Sequence, residues 1–189
     1  MKKRPGSTLV EVVTGAGVMM LIMLGTLSLF VTGLTYMTRT STDLTLSGKN
    51  AQALRWISEY ARTAMSVTIT NGGKQVNYSL PAVNATPNAF TGGKEPIYPL
   101  VSDGVTRGFA VDFVAGTLTD LHNNKVIAKN ISATDPDPGS STFNQAYVPF
   151  TLAQVGSHRA IVIQLICSQK VNGNLRYSRM KQTVLLRNI

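Results

Sequence analysis

Apolar and polar residues are distributed very unevenly along this chain. Between Arg4 and Arg39 the only charged residue is Glu11, and residues 12–37 carry no charge at all. A helix needs roughly 20 apolar residues to cross a bilayer, and this run exceeds that length. Beyond it, in "TRTSTDLTLSGKNAQALRWISEYARTAMSV", Leu44, Ala51, Leu54, Ile57, Ala61 and Ala64 recur at helical spacing and make one apolar stripe. Arg55, Glu59 and Arg62 fall off the stripe, with Glu59 placed to pair with either arginine. Residues 38–42 combine β-branched and short polar side chains, so a soft joint between two helical halves is expected there.

From residue 67 onward the period changes from helical to alternating. Short runs of strand character appear at "SVTIT", "QVNYSL", "GFAVDFV", "GTLTDL", "NKVIAKNI", "AYVPFTL", "RAIVIQLICS" and "LRYSRMKQTVLL". Turn residues punctuate them at Asn71-Gly72-Gly73, Asn123-Asn124 and Asn172-Gly173, the last joining the final two strands as a hairpin. Ile161, Ile163, Leu165 and Cys167 share one face of the penultimate strand, and longer loops are expected over residues 84–96 and 134–145. The predicted class is α+β: a long N-terminal helix, apolar in its first half and amphipathic in its second, packed on a β-rich antiparallel head. The expected segments are a basic leader at 1–6, an apolar helix at 7–38, its amphipathic continuation at 39–66, and the head at 67–189.

Charge and chemistry narrow the function classes. The formal net charge is +9; without Lys2, Lys3 and Arg4 there remain 15 basic residues against 9 acidic ones, a balance of +6. The single cysteine, Cys167, excludes an intramolecular disulfide, and its apolar neighbours predict a buried thiol. His122 and His158 each stand alone, and no HExxH, CxxC, Walker loop or G-x-S-x-G is present, so neither catalysis nor a cofactor is expected. Asp135 and Asp137 in "DPDPGSS" have the spacing of a calcium loop, although Pro136 and Pro138 intervene and no later glutamate completes the pattern. Arg159, Lys170, Arg176, Arg179, Lys181 and Arg187 gather in the last strands with Tyr177 among them. Arg176, Arg179 and Lys181 are candidates for contact with nucleic-acid phosphates; the alternative is a solvated edge strand guarded by charge.

The N-terminus admits three readings. A secretory signal peptide requires a shorter apolar core and a small-residue cleavage site, and neither is present. A plain membrane anchor fits the length and keeps Lys2, Lys3 and Arg4 cytoplasmic. It leaves Glu11 unexplained, since a carboxylate at the centre of a spanning helix costs roughly 2.5–3.5 kcal/mol on insertion scales.

The third reading takes "KKRPGSTLVEV" as a unit: basic leader, Gly6, then Ser7-Thr8-Leu9-Val10-Glu11 opening the apolar run. This resembles the class III signal of type IV pilins and type II secretion pseudopilins. The resemblance implies that a prepilin peptidase cuts between Gly6 and Ser7 on the cytoplasmic side, that Ser7 is methylated, and that Glu11 is the fifth mature residue. Glycine lets the scissile backbone approach a protease cleft closely, and cleavage creates a cationic amine that the carboxylate four residues on can pair with, in its own chain or a neighbour's. Family behaviour implies the neighbour, so that Glu11 sets register during filament assembly. Ser7 stands where the family most often has Phe, and no proline bends the apolar half, although Gly15, Gly17, Gly25 and Gly33 offer close helix packing. The first departure, at Ser7, is in keeping with a minor member.

Further along, "GFAVDFVAGTLTDL", "KVIAKNIS", Phe143 and the closing "TVLLRN" with Arg187-Asn188 resemble the minor pilins grouped as PilW, ComGF and the J-type pseudopilin. The implied partners are prepilin peptidase, sister subunits, the inner-membrane assembly machinery and lipid before assembly. The implied location is the bacterial inner membrane, single-pass with the head outside the cytoplasm, and then a pilus or pseudopilus. The competing expectations are a binding module for DNA or a surface ligand, and a plain single-pass membrane-anchored β domain.

Overall fold

The structure, a computed structural model, describes residues 8–187. One helix, α1 (Leu9–Thr63), takes up both the apolar run and its amphipathic continuation. The chain forms two compact units, Met1–Thr42 and Asp43–Ile189, and α1 contributes to both.

In the first unit the apolar side chains of α1 are solvent-accessible all round, with Leu21 71% and Leu29 75% exposed. The most apolar window of α1 has a mean hydropathy of 2.1, and the helix is long and apolar enough to cross a membrane. Its threonines suit such a medium. The hydroxyls of Thr14, Thr26, Thr32, Thr35, Thr38 and Thr42 each donate to a main-chain carbonyl three or four residues back. These donors therefore need no partner from the surroundings. The expected soft joint does not break α1. Thr38 and Thr42 bond back to Leu34 and Thr38 at 2.9 Å each, and the helix runs through unbroken. A propensity penalty of about half a kcal/mol per residue is too small to interrupt the ladder. The two units nevertheless divide just after this stretch.

In the second unit the buried face of α1 is formed by Leu46, Asn50, Ala53, Leu54, Ile57, Ser58 and Ala61. The predicted stripe is therefore right from Leu54 onward and wrong before it. Leu44 is 69% exposed and Ala51 is also exposed. Going back from Leu54, the face steps by four through Asn50 to Leu46. A polar Asn50 is tolerated because its Nδ2 donates to Leu165 O at 3.2 Å and Ser178 O at 3.0 Å.

Two antiparallel sheets complete the unit. The first is a meander in the order β1 (Ser66–Thr70), β2 (Gln75–Ser79), β3 (Arg107–Asp112), β4 (Thr117–Asp120), β5 (Lys125–Lys129). The second has the order β6 (Phe150–Val155), β7 (His158–Val171), β8 (Asn174–Leu185). β6 starts later than "AYVPFTL" implies; Pro149 has no N–H for a ladder, although its carbonyl accepts from Gln164 N at 2.8 Å. Downstream of β6, the edge of β7 opposite β8 is taken by the chain after β5: Ser132 N donates to Ile166 O and Ser168 N to Asn130 O, both at 2.8 Å. β7 thus joins the two sheets and is paired on both sides, while β8 lies at the margin.

The hairpin between β7 and β8 closes on Asn172 and Gly173, both at positive φ (49° and 80°), as a two-residue turn of this hand requires. Ile161, Ile163, Leu165 and Cys167 are fully buried, as the alternation predicts, and Phe109, Leu118 and Phe150 join them with Ile57 in one core. Within it Tyr78 stacks on Phe109, and Tyr60 packs against both, with ring centroids 5.4–6.0 Å apart.

Candidate functional sites at the helix start and the last strand

Two of the residues singled out from sequence, Gly6 and Ser7, lie outside the described residues, as does Asn188 of the closing Arg187-Asn188 pair. The helix start is visible from Thr8. The Thr8 N–H donates to Glu11 Oε2 at 2.9 Å, and the Glu11 N–H donates to Thr8 Oγ1 at 3.3 Å. This is a reciprocal capping box: each side chain satisfies a main-chain donor that the first turn of a helix leaves unpaired. The negative charge also sits at the positive end of the helix dipole. The pattern Thr8-x-x-Glu11 was legible in the sequence as a cap, but counting from Gly6 drew attention to another role for the same carboxylate. Both roles use one feature, a carboxylate held over the first turn within reach of nearby N–H donors.

The three cations proposed on β8 do not form one patch. Strand alternation sends Arg176 to the face opposite Arg179 and Lys181. Arg176 Nη1 lies 3.6 Å from Asp43 Oδ2 of α1. Arg179 reaches the 134–145 loop, where its Nη2 pairs with Asp135 Oδ2 and donates to Ser140 Oγ at 3.0 Å. Lys181 is exposed. Two of the three candidates are therefore paired with acids of the fold while staying partly open to solvent, and Lys181 has no carboxylate partner within 4.0 Å among the described residues.

The two carboxylates with calcium-loop spacing point to different partners. Asp135, whose side chain is 2% exposed, takes Arg179, the Thr142 hydroxyl at 2.5 Å and the Asp137 N–H at 3.1 Å. Asp137 accepts from the Gly139 N–H at 2.9 Å, and the proximity of its carboxylate holds the Tyr177 hydroxyl above its ordinary pKa. Among the described residues no group of three or more His, Cys, Asp and Glu side chains converges as a metal site. Asp135 works as a pin that fastens its loop to β8.

His122 lies in the β4–β5 turn. Its main-chain N–H donates to the buried Asp120 carboxylate at 2.9 Å, and Asp120 also accepts from Asn123 Nδ2 at 2.7 Å. His158 opens β7 in an exposed position. The two imidazoles lie in different parts of the head and share no partner. Cys167 is a buried free thiol, as expected, and burial pushes its pKa up to about 11 against a smaller opposing pull from Lys49. A thiol so placed is a core side chain, not a nucleophile.

Comparison with protein-family models, with curated proteins and with solved structures returned no match. The class defined by the fold is therefore α+β: a long N-terminal helix, apolar enough to span a membrane, whose second part packs on antiparallel sheets.

Proposed function

We propose that the chain is a minor pilin or pseudopilin subunit of pilin-like fold. In this reading it is made as a precursor in the bacterial inner membrane with its head outside the cytoplasm. Prepilin peptidase cuts it between Gly6 and Ser7, Ser7 is methylated, and the subunit enters a type IV pilus or type II secretion pseudopilus near the tip. It catalyses nothing and is itself the substrate of the peptidase.

The observation that carries the proposal is Glu11. It is the one charge in the apolar stretch, and it stands in the first turn of α1 with its carboxylate turned toward the N-terminal N–H groups. Cleavage would turn the residue just before Thr8 into a cation. That amine, free or from a neighbouring subunit, competes for the carboxylate that the Thr8 N–H holds. In a low-dielectric surrounding the ammonium is the stronger donor. Unsheathed apolar side chains around the helix supply the packing surface for sister helices. A second reading is favoured by the capping box itself: a plain anchored β domain in which Glu11 only caps α1.

Glu11→Gln separates them, because glutamine preserves a capping box and removes the charge. The proposal expects mass spectrometry of membrane-extracted protein to show loss of residues 1–6 and a methyl group on Ser7. It also expects Glu11→Gln to be processed but left out of filaments as fully as Glu11→Ala. Incorporation of the glutamine variant at the normal level would leave the cap as the sole role. An intact N-terminus in cells with active peptidase would refute the subunit reading altogether.

A further inference from the structure

The margin of the second sheet is unusually long. β8 has 12 residues, where strands commonly have about 5–6. Its register with β7 shows which main-chain groups lie at the margin. Leu186 N donates to Arg159 O at 2.9 Å, so even-numbered residues of this strand exchange hydrogen bonds with β7. The N–H and C=O of Leu175, Tyr177, Arg179, Lys181, Thr183 and Leu185 therefore point away from it, and no strand among the described residues takes them.

Beside this edge an open groove of about 670 Å³ runs between residues 179–182 and the flank of α1. It is lined by Ala51, Leu54 and Met180, by Arg55 and Arg62 of α1 with a single acid, Glu59, and along its β8 margin by Arg179 and Lys181, whose side chains lie on the outer face of the strand. Arg55 is engaged with Glu59 at 3.0 Å and Arg179 with Asp135. Arg62 and Lys181 have no carboxylate partner within 4.0 Å among the described residues. The open edge thus combines a row of unpaired main-chain groups, an apolar floor and two uncommitted cations on either side of it.

We propose that β8 is a docking edge for an extended, acidic segment of a partner protein, which joins the sheet antiparallel to β8 as a fourth strand. Main-chain bonds to the odd-numbered residues supply the affinity. Acidic side chains of one parity face Arg62 across the groove, and those of the other parity face Lys181 on the outer surface. The charges decide against a second copy of this chain as the occupant. Pairing two β8 edges would set Arg179 and Lys181 of one copy among those of the other, and like charges across a ladder are destabilising. An acidic strand meets no such repulsion. The proposal rests on the second unit alone and is independent of how the N-terminus is processed.

The test uses the full chain in detergent micelles and a fluorescein-labelled peptide of repeated Glu-Glu-Val-Val, which places acids on both faces of an extended strand, with a Lys-Lys-Val-Val peptide and a short DNA duplex as comparisons. The acidic peptide should bind at least about tenfold more tightly than the basic one. It should protect the amides of Tyr177, Arg179, Lys181 and Thr183 from hydrogen exchange and leave those of Ser178 and Gln182 unchanged. Arg62→Glu combined with Lys181→Glu should weaken it by about tenfold. Thr183→Pro, which removes an outward N–H that β7 does not use, should abolish binding. If far-UV circular dichroism shows that the proline disturbs the sheet, the charge-reversal pair decides alone. Equal affinity for the two peptides, protection that spares the odd-numbered amides, or self-association of the chain through this edge would overturn the proposal. So would displacement of the peptide by DNA without amide protection, which would make the surface a phosphate contact instead.

Discussion

Replacing Arg179 by alanine tests whether β8 cations are structural. Among the described residues Arg179 is the only cation paired with Asp135, whose side chain is 2% exposed, while the arginine side chain is 35% exposed. The two members are thus unequally buried, and the costs of losing each should differ. Removing one partner of a fully buried pair costs about 3–5 kcal/mol, because a charge is left uncompensated. Water can reach the vacated arginine site, and Thr142 and the Asp137 N–H still hydrogen-bond the carboxylate, so about 2.5 kcal/mol is the better expectation. Asp135→Asn leaves the half-exposed guanidinium to water and keeps an acceptor for Asp137 N, which should cost only about 1 kcal/mol. In the double variant nothing charged is stranded, and the loss should be about 1.5 kcal/mol, less than for Arg179→Ala alone. The coupling is therefore about 2 kcal/mol. Urea unfolding of the full chain in micelles can be followed by the single tryptophan, Trp56, which sits on α1 with the Lys125 ammonium 5.6 Å from its ring and so reports helix packing on the sheet. Additive losses, or an Arg179→Ala cost below about 0.5 kcal/mol, would refute the pin.

Three further outcomes follow from local geometry. A methyl group at Gly108 would lie 2.6 Å from the Val76 carbonyl oxygen, which belongs to the neighbouring strand and cannot yield, so Gly108→Ala should destabilise by about 2 kcal/mol or more in the same unfolding assay. Gly48→Ala, with nothing within 4 Å on a helix, should instead stabilise by roughly 0.5–1 kcal/mol; the reverse order would contradict the packing. At Asp103, burial would raise the pKa, but the Val105 N–H at 3.1 Å and the Arg107 guanidinium at 2.7 Å outweigh it and hold the carboxyl below its ordinary 3.8. Because the folded pKa is the lower one, this carboxylate contributes stability above about pH 4, lost as pH falls through the folded value. Thermal melts across the acid range should show a shallower acid decline for Asp103→Asn than for the parent, and an unchanged decline would count against the Arg107 pairing.

Much of this architecture was legible because its signals are local. Alternation placed the strands, and the Asn-Gly turn at Asn172-Gly173 needed only the rule that both positions take positive φ. The apolar run of α1 needed only counting. What failed was whatever depends on a partner distant in sequence. The stripe on α1 was drawn through Ala51 and Leu44 because hydrophobicity was the criterion, whereas the fold admits Asn50 by giving its amide two carbonyls from β7 and β8. Ser58 enters the buried face in the same way, donating to Leu54 O at 2.7 Å and to Gln182 Oε1 at 2.9 Å. The Asp135–Arg179 pin spans 44 residues, and no spacing rule connects them. The capping box Thr8-x-x-Glu11 is local and readable from sequence, and the same carboxylate also suits the register role.

The cations of β8 show how a charge cluster in sequence can dissolve into separate tasks. Counted along the chain, Arg176, Arg179 and Lys181 look like one basic stripe suited to phosphates. Strand parity separates the first from the other two, and each arginine then meets an acid that the fold supplies: Asp43 from α1, Asp135 from the loop. A loss of binding on mutating either arginine would therefore be confounded by a loss of structure. Lys181 has no such internal duty, and neither does Arg62 across the groove. Charges that the fold does not use impose a desolvation risk on anything that approaches the edge without compensating acids. That asymmetry makes the same two residues a guard against self-pairing and a selector for an acidic strand. It is why the charge-reversal pair Arg62→Glu and Lys181→Glu, and not the arginines of β8, is the informative perturbation of this surface.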